Sequence, residues 1–282
     1  MNESTKKQKD KPTGAARPLA LITGASAGIG AEYARQMAAA GYDLALTARR
    51  RERLDELAAD LTDAHGIHCQ VIVADLAEST APADIMAEIE AANRQVAVLV
   101  NNAGYAIGGF LNQAEWDEHH KFLQVMVNAV TELSYRCLPG IREQNKGGII
   151  NVASLAGIVP GSSGHTLYAA VKAYMIKLSE SLAMENTDRD ICIQALCPGF
   201  TYSEFHDVVG TRDIVSKMPG YMWMNADEVV AISLKQFGNP KAPVMLVPGR
   251  WNRFVAMLTR KLPYRASFAL MKKRSGSFRR QD

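Results

Sequence analysis

Pro18-Leu-Ala-Leu-Ile-Thr23 runs directly into Gly24-Ala-Ser-Ala-Gly28-Ile-Gly30, and a helical pattern follows from Ala31 to Ala40. A short apolar strand, a glycine turn and a helix, in that order, make the opening of a dinucleotide-binding unit. The glycines let the backbone turn tightly and let a pyrophosphate reach the amides at the helix N-terminus, where the dipole favours negative charge. The spacing is G-x-x-x-G-x-G rather than G-x-G-x-x-G, and by itself it does not exclude an ordinary glycine-rich turn.

The rest of the chain repeats the alternation. Asp43 to Ala48 reads as a second strand, with Arg49-Arg50-Arg51 where the chain turns into a helix from Arg50 to Ala64. An acidic residue at that turn would hold the ribose hydroxyls of NAD, whereas a guanidinium can grip a 2′-phosphate, so the arginines favour NADP(H) over NAD(H). At least one of the three is expected to be simply solvated. Ile67 to Ala74 is a third strand ending at Asp75-Leu76, and Asp84 to Asn93 the helix after it. Val96 to Val100 is a fourth, uniformly apolar strand running into Asn101-Asn102-Ala103-Gly104, where the asparagines also suit a plain turn. A long helical pattern covers Gln113 to Leu138 and contains Asn128, a poor helix former read as a buried amide in need of a reason. Gly148 to Ala153 is the fifth strand, with Ser154 just past its end. Gly157, Pro160, Gly161 and Gly164 mark a loop before a helix from Thr166 to about Asn186. Ile191 to Cys197, closed by Pro198-Gly199, and Val244 to Val247 are the sixth and seventh strands. This pattern predicts an α/β fold of Rossmann type, a doubly wound seven-stranded parallel sheet with helices on both faces and ligands across the C-terminal strand edge. Gly24, Asn102, Ser154, Tyr168 and Pro198 converge there.

Tyr168 and Lys172 stand one helical turn apart, so their side chains share a face. A lysine held beside a phenol stabilises the phenolate and lowers a pKa of about 10 toward the range of acid/base chemistry on an alcohol or carbonyl. Alone, that spacing also fits a half-buried tyrosine beside a solvated lysine.

Composition bounds the possibilities. The chain has 282 residues, 48% of them hydrophobic, which suits one compact domain over residues 18–248. Residues 1–17 form a polar basic tail expected to be disordered, without the apolar centre of a signal peptide, and no apolar run reaches bilayer length. A cytoplasmic protein is expected. Cys69, Cys137, Cys192 and Cys197 form no C-x-x-C pair, and no histidine pair has metal spacing, so neither disulfides nor a metal are indicated; His165 and His206 are read as packing or rim residues. A net charge of +3 is too small to suggest nucleic acid as a partner.

Taken together, Thr23-Gly24-x-x-x-Gly28-x-Gly30, Asn101-Asn102-Ala103-Gly104, Asn128, Ser154, Tyr168-x-x-x-Lys172 and Pro198-Gly199 resemble the single-domain short-chain dehydrogenases/reductases, in particular their bacterial broad-specificity branch. The resemblance implies that Tyr168 is the acid or base, that Lys172 lowers its pKa and holds the nicotinamide ribose, and that Ser154 hydrogen-bonds the substrate oxygen. It implies that Asn128 holds a water linking Lys172 to solvent. For the cofactor it implies Gly24, Ser26, Gly28 and Ile29 at the pyrophosphate, with Gly30 in the same turn, and Arg49 beside Arg50 where NAD users carry aspartate. Asp75 and Leu76 would flank the adenine, Asn102 with Ala103 and Gly104 the adenosine ribose, and Pro198, Gly199, Thr201 and Ser203 the nicotinamide. Ser154 and Tyr168 lie fourteen apart, one residue more than is common in the family, and the extra residue falls in the loop at Gly161-Ser-Ser-Gly164. Family members usually pair their long helices, here Gln113 to Leu138 and Thr166 to Asn186, into homodimers or homotetramers.

Residues 199–225 hold the family's substrate lid, with Phe200, Tyr202, Phe205, Val208, Val209, Met218, Tyr221, Met222, Trp223 and Met224 broken by Gly210 and Pro219. These side chains suit an apolar or aryl substrate, and equally the lid's own small core. Residues 249–282 form a basic amphipathic extension; from Arg250 to Asp282 it carries ten Lys/Arg and one acidic residue. Docking on protein is the favoured reading, peripheral membrane contact the lesser one. The whole predicts an NADP(H)-dependent oxidoreductase acting on a small carbonyl or secondary alcohol. The alternatives are the same enzyme using NAD(H), or a dinucleotide-binding sensor without turnover, which would be expected to lose Tyr168 or Lys172.

Overall fold

The computed structural model describes residues 17–161, 163–164, 166–203 and 218–275. The tail up to residue 16, His165, and Phe205, His206, Val208, Val209 and Gly210 of the lid lie outside the described residues.

Strands β1 (Leu19–Thr23), β2 (Asp43–Ala48), β3 (Cys69–Val73), β4 (Val96–Asn101), β5 (Gly148–Val152) and β6 (Cys192–Leu196) alternate with α1 (Gly28–Ala39), α2 (Arg51–His65), α3 (Ala81–Ala91), α4 (Trp116–Leu123) with α5 (Ala129–Gln144), and α6 (Thr166–Met184). β7 (Phe200–Tyr202) and β8 (Trp223–Asn225) precede α7 (Ala226–Gln236) and the short β9 (Met245–Leu246). The main sheet has seven parallel strands in the order β3-β2-β1-β4-β5-β6-β9. The chain starts at β1, winds outward to β3, then returns to β4 on the other side of β1, which opens a crevice at the carboxyl ends of β1 and β4.

Burial explains the sequence pattern. β1, β4 and β5 are buried at every residue, as strands covered on both faces must be. One face packs under α1, α2 and α7 through Tyr33, Met37, Leu54, Leu57 and Val229. The other packs under α3 to α6 through Ile85, Phe122, Met126, Leu133, Val171 and Met175.

Three elements differ from the sequence reading. The long helix over Gln113 to Leu138 is interrupted by a π-helical turn, Gln124–Asn128, and continues through Pro139 to Gln144. Proline lacks the N–H that would bond the carbonyl of Tyr135, but both residues face solvent, so water can serve that carbonyl. The segment read as a lid contributes a second, two-stranded parallel sheet, β7 with β8. The basic C-terminal segment forms a helical hairpin, α8 (Arg250–Lys261) and α9 (Tyr264–Ser275), broken where Leu262 adopts the extended backbone that a following proline requires. Ser267 Oγ donates to Thr259 O at 3.0 Å across the hairpin, and Asn252 and Ala256 are buried against the body of the protein.

Candidate active site

The glycine turn is built for close approach. Gly24 and Gly28 have φ of +66° and +54°, which side-chain-bearing residues rarely adopt. A Cβ at Gly30 would lie 2.3 Å from Gly24 O and 2.4 Å from Asn102 Nδ2, so the helix start presses on the turn itself. Thr23 Oγ1 accepts from the backbone N–H of Asn102 at 2.9 Å and of Ala103 at 3.0 Å. Asn102 Nδ2 donates in return to Thr23 O at 2.9 Å and Gly24 O at 3.2 Å. The Asn102 amide thus ties the end of β4 to the turn after β1. Gly30→Ala is expected to weaken coenzyme binding by about tenfold or more by prising this turn open, while the far end of the sheet stays folded; equilibrium titration of the variant with NADPH, beside a melting curve, checks it.

Arg49 and Arg50 follow β2. Arg50 donates to Ser26 Oγ at 3.0 Å, across the mouth of the glycine turn. Arg49 is exposed, with its guanidinium 4.0 Å from the Asp75 carboxylate at the end of β3. Asp75 Oδ1 also accepts from Ala77 N at 3.0 Å, which fixes that turn. Arg51 opens α2, is exposed like the other two and is the one of the three that does not line the cavity.

Ser154 caps a short 3₁₀ turn, Leu155–Gly157, accepting from Ala156 N at 3.1 Å. Leu155 N donates to Pro198 O at 2.9 Å, so the ends of β5 and β6 are tied together. A Cβ at Gly157 would lie 2.5 Å from the Lys172 carbonyl carbon, so the serine turn sits directly on the backbone of α6. That close approach lets the Ser154 hydroxyl hydrogen-bond the Tyr168 hydroxyl. Lys172 is buried, donates to Val152 O at 2.7 Å and lies 5.6 Å from the centre of the Tyr168 ring.

The electrostatics correct one expectation. Burial pushes the Tyr168 phenol up to about 12, opposed by the hydrogen bond from Ser154. Burial likewise pushes the Lys172 ammonium down to about 7, opposed by the nearby Cys197 thiol. The lysine was expected to lower the phenol's pKa. Here both groups share one desolvated site and Lys172 spends its hydrogen bond on a carbonyl, so desolvation dominates for each. A phenol held in this way keeps its proton at neutral pH.

Asn128 differs too. It closes the π-helical turn, but the residue is exposed rather than buried, and its amide donates to Gln124 Oε1 at 2.8 Å.

One cavity of about 1340 Å³ collects most of the sequence-derived residues: Gly24, Ser26, Gly28, Ile29, Arg49, Arg50, Asp75, Leu76, Asn102, Ala103, Gly104, Ser154, Tyr168, Lys172, Pro198, Gly199, Thr201 and Ser203 all line it. Gly30 and Asn128 do not. The two readings of the lid divide between residues. Tyr202 stacks on Trp223 at 4.7 Å, Met218, Tyr221 and Met222 line the cavity, and Phe200 does both, leaning on the Trp223 ring at 5.3 Å while lining the cavity. The sequence reading missed Lys121 on α4 and a wall from the C-terminal hairpin, Trp251, Asn252, Val255, Met271 and Lys273. Asn252 backs the Pro198-Gly199 turn, where a Cβ on Gly199 would lie 2.4 Å from its Oδ1. The recurrence of apolar residues in residues 250–271 was the one signal for that wall, and it gave no address.

Comparison with known proteins agrees with this geometry. Residues 18–213 match the short chain dehydrogenase family. The chain is 33% identical over 195 residues to a very-long-chain 3-oxoacyl-CoA reductase of Anas platyrhynchos, a match covering 67% of this chain and 61% of that enzyme's length. Among solved structures, a short-chain dehydrogenase from Sphingobium yanoikuyae in complex with NADPH superposes with a TM-score of 0.74 at 31% identity, covering 87% of this chain and 96% of that one. An alcohol dehydrogenase from Comamonas testosteroni described as specific for bulky-bulky ketones superposes with a TM-score of 0.71 at 28% identity, over 88% of this chain and 96% of that one. With the glycine turn, the serine, the tyrosine and the lysine gathered on one parallel sheet edge, the chain belongs to the short-chain dehydrogenases.

Proposed function

We propose that the chain is an NADP(H)-dependent reductase of apolar or aryl ketones or aldehydes, with Tyr168 as the acid. The observation that carries this reading is the gathering of Ser154, Tyr168 and Lys172 with Arg49 and Arg50 on the walls of one cavity. The residues present fit the dinucleotide: Gly24, Ser26, Gly28 and Ile29 bring the backbone at the start of α1 to the cavity wall, and a side chain at Gly24, Gly28 or Gly30 would press on Ala103, Ser203 or Asn102 and break the turn that puts it there. Gly24, Ser26, Gly28 and Ile29 would hold the pyrophosphate, Asp75, Leu76 and Asn102 with Ala103 and Gly104 the adenosine, and Pro198, Gly199, Thr201 and Ser203 the nicotinamide end. When bound, the reduced coenzyme supplies a hydride to a carbonyl carbon.

The chain's own residues do the rest. The Ser154 hydroxyl orients the substrate oxygen by hydrogen bonding where negative charge develops. Tyr168, protonated at neutral pH, delivers its proton to that oxygen. Lys172 holds the ribose and, when charged, steadies the phenolate left behind. Asn128 keeps only an indirect place, since its amide donates to Gln124 and the residue does not line the cavity.

Apolar side chains set the substrate class. Met218, Tyr221, Met222, Trp251, Val255 and Met271 line the same cavity as the proposed coenzyme residues and offer a substrate apolar and aromatic walls. The bulky-ketone and 3-oxoacyl specificities of two of the similar proteins support the same class. The enzyme acts in the cytoplasm as a homodimer or homotetramer; Tyr135 on α5 and Met184 on α6, 77% and 75% exposed, suit a face shared between copies.

Coenzyme choice tests the reading. Turnover of one bulky ketone is measured with NADPH and NADH, in the wild type and in Arg49→Asp. The wild type is expected to prefer NADPH, and the variant to lose about tenfold to a hundredfold in that preference as a charge-assisted phosphate contact becomes a repulsion. A strong wild-type preference for NADH overturns the assignment of the arginines.

A further inference from the structure

The hairpin α8–α9 is covered on one side and bare on the other. Its inner side gives the cavity Trp251, Val255 and Met271 and buries Asn252, Ala256 and Ser267. On α8, Phe254 and Met257 point away from that side, each 46% exposed. On α9, Tyr264 and Phe268 lie with ring centroids 6.0 Å apart, 72% and 47% exposed. A twelve-residue helix in water is marginal, yet α9 buries little beyond Ser267. Its exposed aromatic and aliphatic groups therefore call for a covering surface.

Charge identifies that surface. Residues 250–273 carry seven Lys/Arg and no Asp or Glu. A second copy of this face would bring seven positive charges against seven, which opposes a two-fold contact. Aromatic and methionine side chains set among lysines and arginines suit the boundary between anionic headgroups and acyl chains. None of the described helices is long and apolar enough to cross a membrane. A chain of rings links the outer face to the cavity: Phe254 lies 5.7 Å from Trp251, and Trp251 lies 5.1 Å from Tyr221, both of the latter lining it.

We propose that the outer face of the C-terminal hairpin docks on an anionic lipid bilayer and sets the mouth of the cavity at the membrane surface. The docking stands on the hairpin alone. That lipophilic carbonyl compounds enter from the bilayer rests on the reductase reading.

The test uses the full chain and sedimentation with vesicles of phosphatidylcholine alone or with about a third phosphatidylglycerol. Binding is expected to the anionic vesicles, weakly or not at all to the neutral ones, and to fall steeply with salt. Phe254→Ser with Phe268→Ser is expected to weaken it by about tenfold or more, with turnover of a water-soluble ketone and the melting temperature unchanged. Removal of residues 1–16, which carry lysines of their own, is expected to leave most of the binding in place. The proposal is overturned if anionic vesicles are not bound, if the double variant binds them undiminished, or if the double variant instead dissociates an oligomer in sedimentation velocity. Loss of ketone turnover in the wild type, with vesicle binding retained, would strike the reductase reading and leave the docking intact.

Discussion

Tyr168→Phe is expected to lower ketone reduction by about a thousandfold while NADPH still binds and the protein melts close to the wild-type temperature. The substitution keeps the ring, which packs against the core beneath α6, and removes the one hydroxyl that faces Ser154. Residual turnover would come from positioning by Ser154 and the coenzyme residues. The direction of the phenol's shift adds a pH signature. With its pKa pushed up to about 12, Tyr168 is expected to stay protonated throughout the neutral range, so its own titration gives reduction no limb near pH 7. The reverse reaction needs the phenolate, so alcohol oxidation is expected to climb with pH through the alkaline range. Steady-state rates in both directions from pH 6 to 10 check this; equal profiles for the two directions would contradict it.

Lys172→Met is expected to stabilise the protein while lowering turnover by about a hundredfold. Lys172 is 5% exposed, and burial holds its pKa at about 7 against an ordinary 10.5. The folded chain therefore binds fewer protons than the unfolded one between those values. Its contribution to stability is full above the unfolded value, is lost as pH falls through about 7, and below that the buried charge costs on the order of a few kcal/mol. Methionine removes that cost and also removes the bond to Val152 O, which returns roughly 1 kcal/mol of it. The net effect is a melting temperature higher by about 5 °C at pH 6, shrinking toward pH 10. A variant less stable than wild type by the same amount at every pH would show that the lysine is not held against its charge. Such a result would place its role in packing alone.

Much of this site was legible in the sequence because its parts are local. A glycine turn, a strand end or a one-turn spacing on a helix is fixed by neighbours in the chain, and the sheet order then brings those parts to one edge. Apart from Gly30, the residues from Gly24 to Ser203 proposed to hold the coenzyme meet the pair Tyr168 and Lys172 in one cavity for that reason. What escaped is what depends on distant packing. Gly157 read as a loop marker, although its missing side chain is what seats the Ser154 turn on α6. Thr23 read as the last residue of a strand, although its hydroxyl holds two amides of the β4 turn. Asn128 read as buried because a helical period was carried through it, whereas the π-helical turn rotates it to the exposed side. The sign of the phenol's shift was read from the lysine alone, and burial, which no spacing reveals, outweighs it. The hairpin wall was unreadable in the same sense: Trp251 and Met271 belong to different helices, and only the fold back at Leu262-Pro263 brings both to the cavity.

The most direct test of the central claim is coenzyme consumption by the purified wild type, followed at the absorbance of the reduced nicotinamide, across a panel of aliphatic, bulky and aryl ketones and aldehydes. The account predicts that NADPH is consumed in proportion to enzyme with at least the bulky apolar or aryl members, and that NADH is consumed more slowly by about tenfold or more. NADPH that binds tightly yet is consumed with no carbonyl on the panel would contradict it.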